Sequence, residues 1–459
     1  MNIGLIALSG IRARDPELLA AGMTFPGFLE RSKVIASLPS LGLLTIAALT
    51  PAGHDVSYME VRDLPPSDED LPRFDLVALS TFTAQAFEAY ELADRYRARG
   101  TLVVMGGLHV TSCPAEALEH CDAVVCGEGE LAWATVVEDA MAGRLQPIYD
   151  TRAGSFDLAH APVPAYHLLE IPNYNRLTVQ TSRGCPWRCE FCASSILISE
   201  RYKQKPIERV LSEIDAVRAI WPRPFIEFAD DNSFVNKAYW KRLLPELETR
   251  QLRWFTETDI SVADDEDLLE LMFMSGCKEV LIGLESPEAG GLSGVELRRD
   301  CKPRRLPGYA RAIDRIQRHG IRVNTCFVLG FDGQPPDVFR MVEEFVETAQ
   351  PYDVQITLLT PFAGSALHAR LLAEGRLFEP APWGHCTLFD VTFRPAQMTA
   401  EELRNGFRRL AQRLYSPEAT ARCRARFESQ LRARMAGDRR RAASTVQAAT
   451  VAAERHVAP

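Results

Sequence analysis

The stretch Thr181-Ser182-Arg183-Gly184-Cys185-Pro186-Trp187-Arg188-Cys189-Glu190-Phe191-Cys192-Ala193-Ser194-Ser195 decides how the rest of the chain is read. Its cysteines, Cys185, Cys189 and Cys192, follow the spacing C-x3-C-x2-C. Three thiolates on one short loop can hold three corners of a cubane iron–sulfur cluster and leave the fourth iron without a protein ligand. An open iron is a place where a small molecule can bind and receive an electron. A zinc site is the competing reading. Zinc loops usually draw on two ligand pairs or include histidine, and neither accompanies these cysteines.

Around this loop, between about 176 and 365, a β/α alternation repeats about six times. The strand candidates are Leu177 to Ser182, Phe225 to Ala229, Arg253 to Thr258, Glu279 to Leu284, Arg322 to Leu329 and Val354 to Leu359. Between them, Ile207, Val210, Leu211, Ile214, Val217 and Ile220 follow a 3.6-residue period behind Pro206, and Leu268, Leu269, Met272 and Phe273 lie between Asp264 and Gly276. Six parallel strands with outer helices predict a partial (β/α)6 barrel of the TIM type, whose chemistry collects at the C-terminal strand ends. The cysteine loop follows the first strand, where that rule places it. Carboxylates at other strand ends, Asp230 with Asp231 and Glu285 with Ser286, can accept hydrogen bonds from an ammonium or a hydroxyl. Helix capping is the competing role for Asp231, Asn232 and Ser286. Glu257 ends the third strand and either faces the barrel or sits on its rim. Cys277, Cys301, Cys326, Cys386 and Cys423 are scattered and read as ordinary buried or half-buried cysteines.

Upstream, residues 1–145 alternate short apolar runs with helical patterns, which implies a parallel sheet covered on both faces, a Rossmann-like domain. Ligands in such sheets sit beyond the carboxyl ends of the strands. Three loops fall there: Ser80-Thr81-Phe82-Thr83, Gly106-Gly107-Leu108-His109 and Gly127-Glu128-Gly129-Glu130. On chemistry alone this is a generic ligand-binding sheet, because paired glycines also simply make turns. Residues 146–175 carry Pro147, Pro162, Pro164 and Pro172 without a sustained period and read as a linker. Residues 366–436 read as a helical extension expected to cap the barrel, on a resemblance given below, with Tyr309, Trp383, His385 and Phe389 as pocket candidates or, more simply, aromatic packing. Residues 437–459, including Arg439-Arg440-Arg441, read as a disordered tail.

With 459 residues, of which 46% are hydrophobic, the chain can bury two or three cores. A net charge of −9 argues against nucleic-acid binding by bulk electrostatics. Eleven cysteines outside any even, secreted-type framework fit a reducing cytoplasm. The N-terminus shows no basic region followed by an apolar run, and no stretch reaches the ~18 apolar residues that a membrane span needs.

The cysteine loop, with Arg183-Gly184 before it and Phe191 inside it, closely resembles the cluster loop of the radical S-adenosylmethionine enzymes. In that family the open iron chelates the amino and carboxylate groups of S-adenosylmethionine, and one electron splits it into methionine and a 5′-deoxyadenosyl radical. The resemblance implies a 4Fe–4S cluster on Cys185, Cys189 and Cys192. It implies S-adenosylmethionine contacts at Phe191 (near adenine), Asp230 with Asp231 beside it (amino group), Glu285 and Ser286 (ribose), and Leu329 and Gly330. The order S-x-x-T, G-G-x-H-x-T-x-x-P-x-E and D-x-V-V-x-G-E-G-E in the first region resembles the cobalamin-binding domain that precedes the barrel in many such enzymes. Its implied contacts are Ser80, Thr81, Thr83, Gly106, Gly107, His109, Gly127, Glu128, Gly129 and Glu130. The D-x-H-x-x-G signature that supplies a cobalt-ligating histidine is absent, so His109 is expected to make a local hydrogen bond instead. The segment 366–436 resembles the extension of a branch that includes hopanoid methylases.

Together these resemblances imply a cobalamin-dependent C-methyltransferase. It would act on an unactivated carbon of a small-molecule or lipid intermediate, through the 5′-deoxyadenosyl radical and methylcobalamin. An external flavodoxin or ferredoxin would supply electrons. Two alternatives stay open: a cobalamin-binding radical enzyme that rearranges, cyclises or oxidises without methyl transfer, and a non-catalytic cobalamin or tetrapyrrole binder. A methylthio-transferring RNA enzyme is disfavoured, since neither a second cysteine triad nor a basic domain is present.

Overall fold

The computed structural model describes residues 1–8, 17–18, 38–193, 201–297 and 301–455, with side-chain environments as far as residue 437. Ser194, Ser195 and the side chains of Arg439, Arg440 and Arg441 lie outside the described residues.

Two six-stranded parallel sheets carry the molecule. The first contains β1 (Asn2–Leu8), β2 (Asp55–Val61), β3 (Leu76–Ser80), β4 (Leu102–Gly106), β5 (Ala123–Cys126) and β6 (Ile148–Asp150), in the order β2-β1-β3-β4-β5-β6. Alternate residues of β1 enter different cores: Ile3, Leu5 and Ala7 one, Ile6 and Leu8 the other. A sheet covered on both faces therefore reads as an almost unbroken apolar run. Helix Ala86–Ala98 packs on one face, and helices Leu41–Leu49 and Trp133–Met141 on the other. The strand order reverses at β1 and β3, and the crevice beyond the C-terminal ends of such a pair is where these sheets take ligands. β6 lies beyond residue 145, inside the expected linker. Three residues at a sheet edge, directly after Pro147, are too few to show a period.

The second sheet contains β7 (Leu177–Val179), β10 (Phe225–Phe228), β11 (Arg253–Thr258), β12 (Cys277–Glu285), β13 (Arg322–Leu329) and β14 (Asp353–Leu358). Every neighbour in it is the next strand along the chain, and every pairing is parallel. β7 and β14 lie at the two edges and do not pair with each other, so the barrel is open. Between β7 and β10, the short antiparallel pair β8 (Ser182–Arg183) and β9 (Lys203–Gln204) forms a stem under the cysteine loop. Helix Ile207–Ile220 buries Val210, Ile214 and Val217 on its barrel face, as its period requires. Helix Glu266–Met274 is capped by Asp265, whose side chain accepts from Leu268 N at 3.0 Å, one residue later than the expected Asp264.

The C-terminal extension ties the two sheets together. Trp383 and Cys386 are buried in the same core as Tyr90 and Leu92 of the first domain. Leu403, Phe407 and Leu410 of helix Ala400–Leu414 pack on the barrel core instead. Thr399 and Glu402 close that helix with a reciprocal capping box. Helix Pro417–Arg455 extends past residue 437 into the segment expected to be a disordered tail, and its alanine and arginine content favours helix. Among the described residues, no helix is long and apolar enough to cross a membrane.

Candidate active site

At the C-terminal end of the barrel lies a cavity of about 510 Å³. Cys185, Cys189, Phe191 and Cys192 line it from the loop side. Glu227, Asp231, Glu257 and Glu285 line it from the strand side, and Phe255, Leu281, Val328, Leu358, Leu359 and Phe362 supply apolar wall. None of the three cysteines is in a disulfide, and all three are half-buried. Among the described residues, no three ligand-type side chains converge as they would around a single ion. A cubane places its thiolates on three separate irons, so three thiols on one cavity fit the cluster without such convergence. Burial pushes the Cys185 thiol up to about 11 and Cys189 higher still. Ligation must therefore expel protons that the buried thiols hold tightly.

Hydrogen bonds from several directions fix the loop. Cys189 bridges to Glu296 in antiparallel fashion, Glu190 N donates to Val295 O at 2.9 Å, and Leu297 N donates to Arg188 O at 3.1 Å. The extension also reaches the loop: Arg370 Nη2 donates to Glu190 Oε1 at 2.9 Å, and Nε to Oε2 at 3.1 Å. Phe191 sits edge-on to Phe331, with ring centroids 5.6 Å apart.

At the strand ends the structure separates residues that look alike in sequence. Asp230 is buried away from the cavity, accepting from Thr181 N at 2.7 Å, Ser182 N at 2.9 Å and the Thr181 and Ser233 hydroxyls. It holds the first residues of the loop stem and is not free to meet an ammonium, which corrects its expected role. Asp231 is the one that faces the cavity, and its Oδ2 accepts from Gly184 N at 2.8 Å. Glu285 also faces the cavity, in a left-handed conformation (φ 65°) at a register shift between β12 and β13. A side chain on Gly283 would come within 2.5 Å of the Glu285 carboxylate, so that glycine leaves room for it. Lys302 Nζ donates to Glu285 Oε1 at 3.0 Å and to Gly283 O at 2.9 Å. Ser286 is fully buried against Glu288 and Gln334 and does not line the cavity. On β13, Cys326 and Val328 point inward, while Leu329 faces the outer core by strand alternation. Gly330 lies under Leu403 and Phe393. The expected contacts at Ser286, Leu329 and Gly330 are therefore not on the cavity wall.

Glu257 faces the cavity, and its accessible surface opens there rather than onto the rim. Surrounding protein, followed by the carboxylates of Glu227, Asp231 and Glu285, pushes it up to about 7. Sequence reading missed several residues. Lys302 sits in a short helix with no strand-end signal, and Arg176 pairs with Glu227 from the residue just before β7. Gln334 joins two strand ends by accepting from Gly330 N at 2.7 Å while donating to Val328 O at 2.9 Å and Ser286 Oγ at 3.2 Å. Cys326, taken as ordinary, lines the cavity, because alternation along β13 turns it inward. Of the aromatic pocket candidates, Tyr309, Trp383 and Phe389 are buried in packing, and none of the four, His385 included, lines this cavity.

The edge of the first domain is built differently. Gly107 has φ 98°, and a side chain there would meet Thr81 O at 3.1 Å and Ser80 Oγ at 3.2 Å, so Gly106 and Gly107 present bare backbone. Thr81 and Thr83 are buried, and Thr81 Oγ1 donates to Phe82 O at 3.0 Å. His109 is fully buried: Nε2 lies 3.0 Å from the Tyr90 hydroxyl and 3.6 Å from Glu116 Oε1, and the ring meets Trp383 edge-on. Its local bonding is as expected, and its side chain is not on the ligand edge. Glu128 and Glu130 are also occupied, as partners of Arg183 and Lys203, rather than open to a ligand. At this edge Gly106 and Gly107 offer backbone without side chains, and the His109 imidazole is buried against Tyr90 and Trp383.

Residues 179–346 match the model of the Radical SAM superfamily, residues 32–137 that of the B12 binding domain, and residues 365–454 a domain of unknown function (DUF4070). The chain is a radical SAM protein with a B12-binding domain. This radical SAM protein is 26% identical over 389 residues to bacteriochlorophyllide d C-12(1)-methyltransferase of Chlorobaculum tepidum, a match covering 83% of this chain and 84% of that protein. It is 28% identical over 354 residues to hopanoid C-2 methylase of Rhodopseudomonas palustris, covering 75% and 66%. Among solved structures, the radical S-adenosylmethionine methyltransferase TsrM from Kitasatospora setae, with cobalamin and a 4Fe–4S cluster bound, matches with a TM-score of 0.61 at 17% identity. That match covers 83% of this chain and 79% of TsrM, and it shows a shared fold.

Proposed function

We propose that this radical SAM protein is a cobalamin-dependent C-methyltransferase acting on an unactivated carbon of a small-molecule or lipid intermediate. One observation carries the reading: a single cavity collects the three loop thiols and the inward strand-end carboxylates, in a chain whose other ligand-type domain is a B12-binding sheet. When bound, the cluster with S-adenosylmethionine supplies a radical and cobalamin supplies the methyl group. The protein's own residues bind, orient and shield. Cys185, Cys189 and Cys192 would hold the cluster, and Asp231 would receive the ammonium of S-adenosylmethionine. The Glu285–Lys302 pair offers both an acceptor and a donor to the ribose side. Phe255, Leu281, Val328, Leu358 and Leu359 keep water from a reactive centre. Glu257, close to half-protonated at neutral pH, accepts a hydrogen bond from a polar group of the substrate. A flavodoxin or ferredoxin would supply electrons, in the cytoplasm.

The test is anaerobic purification and reconstitution with iron, sulfide and hydroxocobalamin, then metal analysis and product mass spectrometry. Retention of cobalt beside a 4Fe–4S cluster, with a product heavier by one CH2 unit, is the expected result. A cluster without cobalt, or turnover without added mass, overturns methyl transfer.

A further inference from the structure

The stem of the cysteine loop is held from another domain. β8 and β9 each send one cation to the same carboxylate, Glu128, in the loop that follows β5. Arg183 Nη1 donates to Glu128 Oε1 at 2.6 Å, and Lys203 Nζ donates to Oε1 and Oε2 at 2.6 and 2.7 Å. Glu128 Oε2 also accepts from Phe156 N at 2.7 Å, and the glutamate is only 3% exposed. Arg183 Nη2 adds a bond to Glu130 Oε1 at 2.7 Å, and Lys203 Nζ one to Phe156 O at 3.1 Å. Two cations converging on a buried carboxylate form strong, directional, charge-assisted bonds. Removing the acceptor would leave two half-buried cations with only Glu130 and the Phe156 carbonyl as partners, which loosens the stem. Arg183 stands two residues before Cys185, and the Glu128 loop begins at Gly127 (φ 92°), on the edge where the first domain takes its ligand.

We propose that Glu128 is a positioning residue through which the first domain sets the stem of the cysteine loop, so that the two cofactor sites are energetically coupled. The inference rests on the cluster and cobalamin assignments above and not on methyl transfer. A ligand that orders the Gly127–Glu130 loop orders the clamp, and a cluster that orders the stem orders the same clamp from the other side. Coupling of this kind is reciprocal.

The experiment uses the full chain, reconstituted anaerobically. Iron release to bathophenanthroline is timed first, since it requires no cobalamin. Release from Glu128→Gln is expected to be about ten-fold faster than from wild type. Lys203→Gln changes it in the same direction by less, which keeps the test decisive if Glu128→Gln fails to fold. Lys203→Arg, which keeps the cation, restores slow release. Hydroxocobalamin is then titrated by its visible spectrum with the cluster present and absent. Wild type is expected to bind about five-fold or more tightly with the cluster, and this ratio falls toward one in both the Glu128→Gln and Lys203→Gln variants. Equal iron release in wild type and variants, or an unchanged ratio, overturns the clamp. Wild type that binds no hydroxocobalamin in either state overturns the methylase reading and the coupling, while iron release still decides whether Glu128 sets the stem.

Discussion

The two ligand-facing edges of this molecule are built in opposite ways. On the first domain three of the polar side chains singled out by sequence already have protein partners: Glu128 and Glu130 pair with Arg183 and Lys203, and His109 with Tyr90 and Glu116. What that edge leaves for a ligand is glycine backbone and shape. At the barrel mouth, Asp231, Glu257 and Glu285 and the three loop thiols open onto one cavity. Recognition through backbone leaves the ligand's own chemistry little disturbed. Recognition through charge in a water-poor cavity orients small polar groups and tunes their protonation. The difference teaches that the same kinds of polar residue serve contacts between domains at one edge and line an open cavity at the other.

The largest effect that tests this contrast is at the thiols. Replacing Cys185, Cys189 or Cys192 with Ala should abolish 5′-deoxyadenosine formation, read by chromatography, while hydroxocobalamin still binds. A triple variant that still cleaves S-adenosylmethionine would break the comparison at its base. Next come the neighbouring aspartates. Asp230→Ala strands the Thr181 and Ser182 amides and should lower apo-chain stability by about 3 kcal/mol in a urea titration. Asp231→Asn should leave stability within about 1 kcal/mol of wild type and weaken S-adenosylmethionine binding instead.

A smaller effect sharpens the electrostatic side. Burial, with Asp353 nearby, pushes Glu279 at the start of β12 up to about 8. Its folded value stands above the unfolded one of 4.5. Between about pH 4.5 and 8 the unfolded chain has therefore released a proton that the folded chain keeps, so stability falls as pH rises through that window and levels off above it. Glu279→Gln cannot titrate, so its advantage over wild type should grow steadily with pH across the window and level off above it. Parallel pH profiles of the two proteins would contradict the buried neutral acid. The smallest effect is at the first domain: Trp383→Phe loses the Nε1 bond to Glu116 Oε2 (3.1 Å) and should cost about 1 kcal/mol, with iron content unchanged.

The chain's own order of residues determined much of this. Six barrel strands were legible because each is a short apolar or β-branched run between helical periods, and the cysteine loop was legible because metal chemistry demands close spacing along the chain. The parallel first sheet was legible for the same reason, but its strand order was not, since order depends on which edges meet in space. Nor does sequence distinguish Asp230 from Asp231: one residue of offset at a strand end turns one carboxylate into the protein and the other into the cavity. The inward turn of Cys326 against the outward turn of Leu329 is the same alternation on β13. The partners of Glu128 lie 55 and 75 residues away, and Trp383 meets Glu116 from 267 residues away. No local pattern encodes such pairings. They exist because folding brings three separately built units into contact, and only the tertiary structure decides which charges are consumed in that contact and which face a ligand.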